Sequence, residues 1–187
     1  KMVKQLREKT GAGIMDCKQA LSECDLDIDK AVDFLRTKGL ATAAKRSGRA
    51  MTEGIIHSYI HMGGKLGVLV EIGCETDFVA KNEDFQEFAK NISMHIAAAN
   101  PLGIKTEDVP EELISKEQAL EMGKPENMVD KITEGKLNKF IKESCLLNQA
   151  YVRDPKITIA DLLNELIAKI GENITIKRFA RFQTGES

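Results

Sequence analysis

Apolar residues recur along this chain first at helical spacing, then in alternation, then at helical spacing again, and the changes of period locate its elements. Over residues 2–38 three stripes follow one another: Val3 and Leu6; Ile14, Cys17, Ala20, Leu21 and Cys24; Ile28, Ala31, Val32 and Leu35. Recurrence at three and four positions predicts three short helices sharing a small core. Thr10-Gly11-Ala12-Gly13 reads as the first turn, and Gly39 as the stop of the third helix. From Gly54 the pattern is extended. Ile55, Ile56, Tyr59 and Ile60 lead to Gly63-Gly64, and Leu66, Val68, Val70, Ile72 and Cys74 return on one face, which predicts a hairpin with a glycine turn.

Phe85, Phe88, Ala89, Ile92, Ile96 and Ala99 then mark a long amphipathic helix over 82–100, with Asn82 as its N-cap and Pro101 as its stop. Segments 108–122 and 126–147 read as further helices, the second opening after Pro125. Ile157-Thr158-Ile159 is either a short strand or the start of the helix that continues over 160–170. Gly171-Glu172-Asn173 turns the chain, and Ile174 to Gln183, rich in β-branched and aromatic residues, predicts a last strand. A helical N-terminal piece followed by an antiparallel sheet covered by helices is an α+β fold. The expected division is a three-helix domain over 1–39, a connector over 40–53 and an α+β core over 54–187.

Composition narrows the function classes. With 187 residues, 42% hydrophobic and 30% charged, the chain has enough apolar material for one or two ordinary domains. Its net charge of −2 supplies no field for nucleic acid or an acidic membrane surface, and Lys45-Arg46-Ser47-Gly48-Arg49 has no aromatic residue beside it for bases to stack on. That basic stretch reads as a solvated connector or as a contact for an acidic partner surface. No apolar run is long enough to span a bilayer, and no signal-like apolar segment opens the sequence. Cys17, Cys24, Cys74 and Cys145 form no CxxC pair, which fits reduced thiols in a cytoplasm.

Catalytic chemistry finds little support. No phosphate-binding glycine loop is present in a strand-loop-helix setting. His57 and His61 lie four residues apart on a predicted strand, roughly 13 Å at about 3.3 Å per residue, too far to share a zinc. His95, on the long helix, reads as a hydrogen-bonded half-buried imidazole, and no local signature singles out a cysteine nucleophile. The expectation is a protein that is not an enzyme and carries no cofactor or metal. The distinctive stretch is Cys74-Glu75-Thr76-Asp77-Phe78-Val79-Ala80-Lys81-Asn82, the corner between strand and helix. Its apolar pair Phe78-Val79 is either a lid on the local core or a wedge offered to another molecule.

Three segments carry a resemblance. Leu6 to Leu21, reading LREKTGAGIMDCKQAL, closely resembles the opening signature of translation elongation factor Ts; Cys74 to Asn82 resembles its second; and Lys169 to Ile174 running into Lys177-Arg178-Phe179 looks like a third. They occur in order over nearly the whole chain. The resemblance implies a ubiquitin-associated-like three-helix domain and an α+β core that binds elongation factor Tu, GDP-bound and nucleotide-free, and promotes GDP release. It further implies that Thr76, Asp77, Phe78 and Val79 lie against the partner's nucleotide site and dislodge its Mg²⁺. Arg7, Ile14, Met15 and Lys18 match the N-terminal contact positions and Arg46 a further basic one, Ile14 standing where methionine is frequent. In length the chain is similar to the short form, with one core subdomain, so a reversible homodimer through the terminal strand is expected, with neither nucleic acid nor membrane as a direct partner. The contrasting reading is an interaction module without exchange activity.

Overall fold

The computed structural model describes residues 1–109 and 138–186. Helix α1 (Met2–Thr10) ends because Gly11 takes the left-handed conformation, φ 67° and ψ 0°, and returns its N–H to the Arg7 carbonyl at 2.7 Å. Helix α2 (Ile14–Glu23) follows, then α3 (Ile28–Arg46), whose N-terminus is capped by the Asp27 carboxylate accepting from the N–H groups of Asp29 and Lys30. Leu6, Cys17, Ala20, Leu21 and Ala31 form the core shared by these three helices, with Val3, Val32 and Leu35 packed around it. The apolar stripes are the buried faces except at Ile14, which opens the second stripe and is exposed.

Strands β1 (Glu53–Ile60) and β2 (Leu66–Cys74) form the expected hairpin, with Gly63 and Gly64 at φ 88° and 69° in its turn. A one-turn helix, α4 (Asp77–Ala80), and the long α5 (Glu83–Ala99) come next. A two-stranded antiparallel ladder, β3 (Ala150–Tyr151) with β4 (Asp154–Thr158), precedes α6 (Ile159–Ile170) and the final strand β5 (Ile174–Gln183). The main sheet has the order β1-β2-β5. Ile157-Thr158-Ile159 thus resolves both ways, Thr158 closing a strand and Ile159 opening a helix. By their contacts the described residues form two units, one from Lys1–Ile55, Gly73–Phe88 and Asp161–Thr175, the other from Ile56–Ile72, Ala89–Ala160 and Ile176–Ser187.

Two expectations need correction. Helix α3 does not stop at Gly39 but continues to Arg46, so the first part of the expected connector is helical. Its alanines favour helix, and Gly39 is kept inside it, at a propensity cost of about 1 kcal/mol, where a neighbour comes close. A Cβ on Gly39 would stand 3.4 Å from the Cβ of Ala168 on α6. The expected helix over 126–147 is helical at 138–144, and its remainder over 126–137 lies outside the described residues, as do 110–122 of the segment expected over 108–122. Its end comes before Cys145, because Leu146 and Leu147 give their N–H groups to the carbonyls of Gly103 (2.9 Å) and Ile104 (3.1 Å) rather than to the preceding helical turn.

In the unit containing most of the hairpin, Val68, Val70 and Ile72 are buried and Leu69 faces out. On β5, Lys177 and Arg178 are both exposed and both pair with Glu71, Arg178 Nε at 2.6 Å, so strict alternation breaks between them. Beyond the break Arg181 turns inward, Nε to the Ala97 carbonyl at 3.4 Å, and Phe182 is exposed.

Candidate functional site: a capped corner with an exposed phenylalanine

The corner after β2 is built by two caps. Thr76 has extended backbone and is the N-cap of α4, its Oγ1 accepting from the Val79 N–H at 3.3 Å. Asn82 ends the corner and caps α5, its Oδ1 accepting from the N–H groups of Asp84 (2.8 Å) and Phe85 (3.4 Å), as the sequence predicts. Gln86 reaches back, Nε2 donating to the Ala80 carbonyl at 2.6 Å. Between these ties the backbone makes one turn, Ala80 N–H to Thr76 C=O at 3.2 Å.

Successive residues on a helix diverge by roughly 100°, so Phe78 and Val79 cannot face the same way. Val79 and Ala80 are buried, whereas Phe78 is 82% exposed. The lid-or-wedge question therefore divides along the pair: Val79 is the lid, and Phe78 projects into solvent beside exposed Thr76 and Asp77. Asp77 pairs with Lys81 one turn on and holds the Lys81 ammonium above its ordinary pKa by that hydrogen bond and by its charge. Beneath the corner the Cys74 thiol donates to the Thr76 carbonyl at 3.2 Å. Burial, then the nearby Glu172 carboxylate, pushes that thiol's pKa up, which suits a structural thiol and not a nucleophile.

The N-terminal candidates form a separate group. Arg7 on α1 and Lys18 on α2 are exposed, and Ile14 and Met15 leave 55% and 73% of their surface in solvent at the start of α2. Two large apolar side chains and two cations are thus exposed on the three-helix bundle. Arg46 differs. It is half-buried, and its Nη1 donates at 3.1 Å to the Ile167 carbonyl, which also accepts the Gly171 N–H at 2.9 Å, so the guanidinium is a second donor to a carbonyl in the last turn of α6.

Three histidines take different partners. His57 Nδ1 lies 3.1 Å from Ser93 Oγ, and His61 Nδ1 lies 2.9 Å from Tyr59 Oη. His95 is fully buried, with Nε2 2.9 Å from Gln149 Oε1 and Nδ1 accepting from the Val152 N–H at 3.3 Å. The family model described as elongation factor TS matches residues 40–186. The chain belongs to the elongation factor Ts family. The elongation factor Ts of Desulfosudis oleivorans is 68% identical over 191 residues, covering 99% of this chain and 96% of that protein. Those of Caldanaerobacter subterraneus subsp. tengcongensis and Desulfotalea psychrophila are each 61% identical, covering 98% and 99% of this chain and 95% and 97% of the relatives. Membership in the elongation factor Ts family places the exposed corner in a translation factor. Among the described residues no helix is long and apolar enough to cross a membrane.

Sequence reasoning missed that Glu172 and Asn173 hold the corner from outside it. Glu172 accepts from both the hydroxyl and the N–H of Thr76, and Glu75 accepts from the Asn173 N–H at 2.6 Å. Both residues stand inside family signatures, but contacts spanning 96 and 98 positions leave no periodic trace in a sequence.

Proposed function

We propose that this chain is the guanine-nucleotide exchange factor of elongation factor Tu, and that the Thr76–Val79 corner is the part that disturbs the partner's Mg²⁺ and nucleotide site. The observation that carries the proposal is Phe78, 82% exposed on a turn tied at both ends. A large ring held outward is already in its bound pose, so little ordering entropy opposes docking. Burying it in a partner contributes about 1.5–3 kcal/mol, enough to shift nucleotide occupancy by about tenfold or more. Asp77 brings negative charge beside the ring, toward a site whose own Mg²⁺ it would attract. Val79, buried, supports the turn from below.

Exchange needs no bond made or broken by this chain. A protein that holds nucleotide-free Tu more tightly than GDP-bound Tu weakens GDP binding by the same factor. Arg7, Ile14, Met15 and Lys18 supply the first contact in this reading, and Mg²⁺ belongs to the partner. Residues 1–39 are the docking domain, 54–187 the core with the wedge, and 40–53 the link between them, all acting in the cytoplasm. Ile56, Ile60, Leu69 and Phe182 are 68%, 67%, 46% and 68% exposed. That exposed apolar surface supports a reversible homodimer. The test is release of labelled GDP from elongation factor Tu with and without the chain; no stimulation at stoichiometric concentration would overturn the reading.

A further inference from the structure

We infer that Glu172 is a positioning residue for exchange, acting through Thr76 to hold Phe78 in its outward pose; the inference rests on the wedge reading above. Gly171, at φ 91°, turns the chain so that Glu172 returns to the corner. Glu172 Oε1 accepts from Thr76 Oγ1 at 2.7 Å and Oε2 accepts from the Thr76 N–H at 3.1 Å. The hold is reciprocal. Glu75 Oε1 takes the Asn173 N–H at 2.6 Å, while the Asn173 amide donates to the carbonyls of Ser47 (3.4 Å) and Arg49 (3.0 Å).

A threonine hydroxyl has one proton and two lone pairs. Given to Glu172, that proton leaves a lone pair directed at the Val79 N–H, which is the cap of α4. One turn of helix cannot sustain itself by propagation, so its roll depends on its caps. The roll decides which of two adjacent side chains is buried, and here Val79 is inside and Phe78 outside. A carboxylate suits the task because both oxygens only accept and they face two donors; a glutamine would turn an NH₂ toward one of them.

The experiment compares Glu172→Ala, Glu172→Gln, Phe78→Ala and the double variant Phe78→Ala/Glu172→Ala in GDP release from elongation factor Tu, with amide hydrogen exchange measured on the free chain. Glu172→Ala is expected to lower stimulated release about tenfold, the scale of lost hydrogen bonds to a charged group, and Glu172→Gln less. In the double variant the loss should equal that of Phe78→Ala alone, because the ring through which Glu172 acts is gone. Amide exchange should quicken at Thr76 and Val79 in Glu172→Ala while the buried amides of α2 keep their protection. Should Glu172→Ala fail to fold, Glu172→Gln and the double variant Phe78→Ala/Glu172→Gln carry the same test: a smaller loss in the single variant that disappears once the ring is alanine, against losses that multiply if the inference is wrong. Losses that multiply in the double variant, or wild-type release by Glu172→Ala when Phe78→Ala is impaired, would overturn the inference alone; wild-type release by Phe78→Ala would instead remove the wedge reading.

Discussion

Val79 is 5% exposed and its chain neighbour Phe78 is 82% exposed, a division imposed by one helical turn capped by Thr76. The two positions should therefore respond oppositely to truncation. Phe78→Ala is expected to leave stability within about 0.5 kcal/mol of wild type while lowering exchange about tenfold or more. Val79→Ala should cost about 2 kcal/mol of stability through the cavity it leaves. Thermal melts run beside GDP-release assays separate them, and a Phe78→Ala protein that melts several kcal/mol early would make the ring a lid after all.

A second contrast lies between Arg46 and the α2 pair. Because Arg46 donates to the Ile167 carbonyl at 3.1 Å, Arg46→Ala should destabilise the fold by about 1–2 kcal/mol. Ile14 and Met15 lie outside the buried core of the three helices, so Ile14→Glu with Met15→Glu should leave the melt unchanged. Calorimetric titration with elongation factor Tu should show the double substitution weakening binding at least tenfold. Full affinity in that variant would remove Ile14 and Met15 from the contact.

His95 supplies the pH dependence. Because the Val152 N–H can only donate, Nδ1 of His95 must accept, which keeps the ring neutral with its proton on Nε2. Burial holds its pKa below the ordinary 6.5, and His57 is lowered too, by burial and then by the Lys90 charge. A depressed folded value means that the unfolded chain takes up the proton first. Stability is then complete above 6.5 and is lost as pH falls from there through the folded values. Melting temperatures should be flat from about pH 8 to 7 and fall toward about pH 5.5. In His95→Asn the acid slope should shrink; a midpoint that rises on acidification would contradict the buried neutral ring.

Phe182 tests assembly. It is 68% exposed on β5, beyond the point where Lys177 and Arg178 break the alternation. Light scattering over a dilution series should show a mass above 20.7 kDa at high concentration, reverting on dilution, and Phe182→Glu should hold the monomer throughout. A mass of 20.7 kDa at every concentration would rule the dimer out.

Much of this architecture was legible from local rules. Leu6, Cys17, Ala20, Leu21 and Ala31 are buried where the period of their stripes placed them, and the bounds of β5, Ile174–Gln183, coincide with its run of β-branched and aromatic residues. Asn82 caps α5 as its side chain and position required. Such features depend on neighbours within a few positions, and their physics is contained in the segment itself.

What the tertiary structure decided involves residues far apart in the chain. Gly39 reads as a helix stop until Ala168 fills the space beside it, and Arg46 reads as a free cation until the Ile167 carbonyl engages it. Phe78 and Val79 are equally apolar and adjacent, so composition and spacing cannot say which is buried. That choice follows from the roll of a single turn, set by Thr76 and by the carboxylate of Glu172, 96 positions away. Hydrophobicity assigns residues to faces only where several turns repeat a period; at a one-turn corner the hydrogen bonds decide.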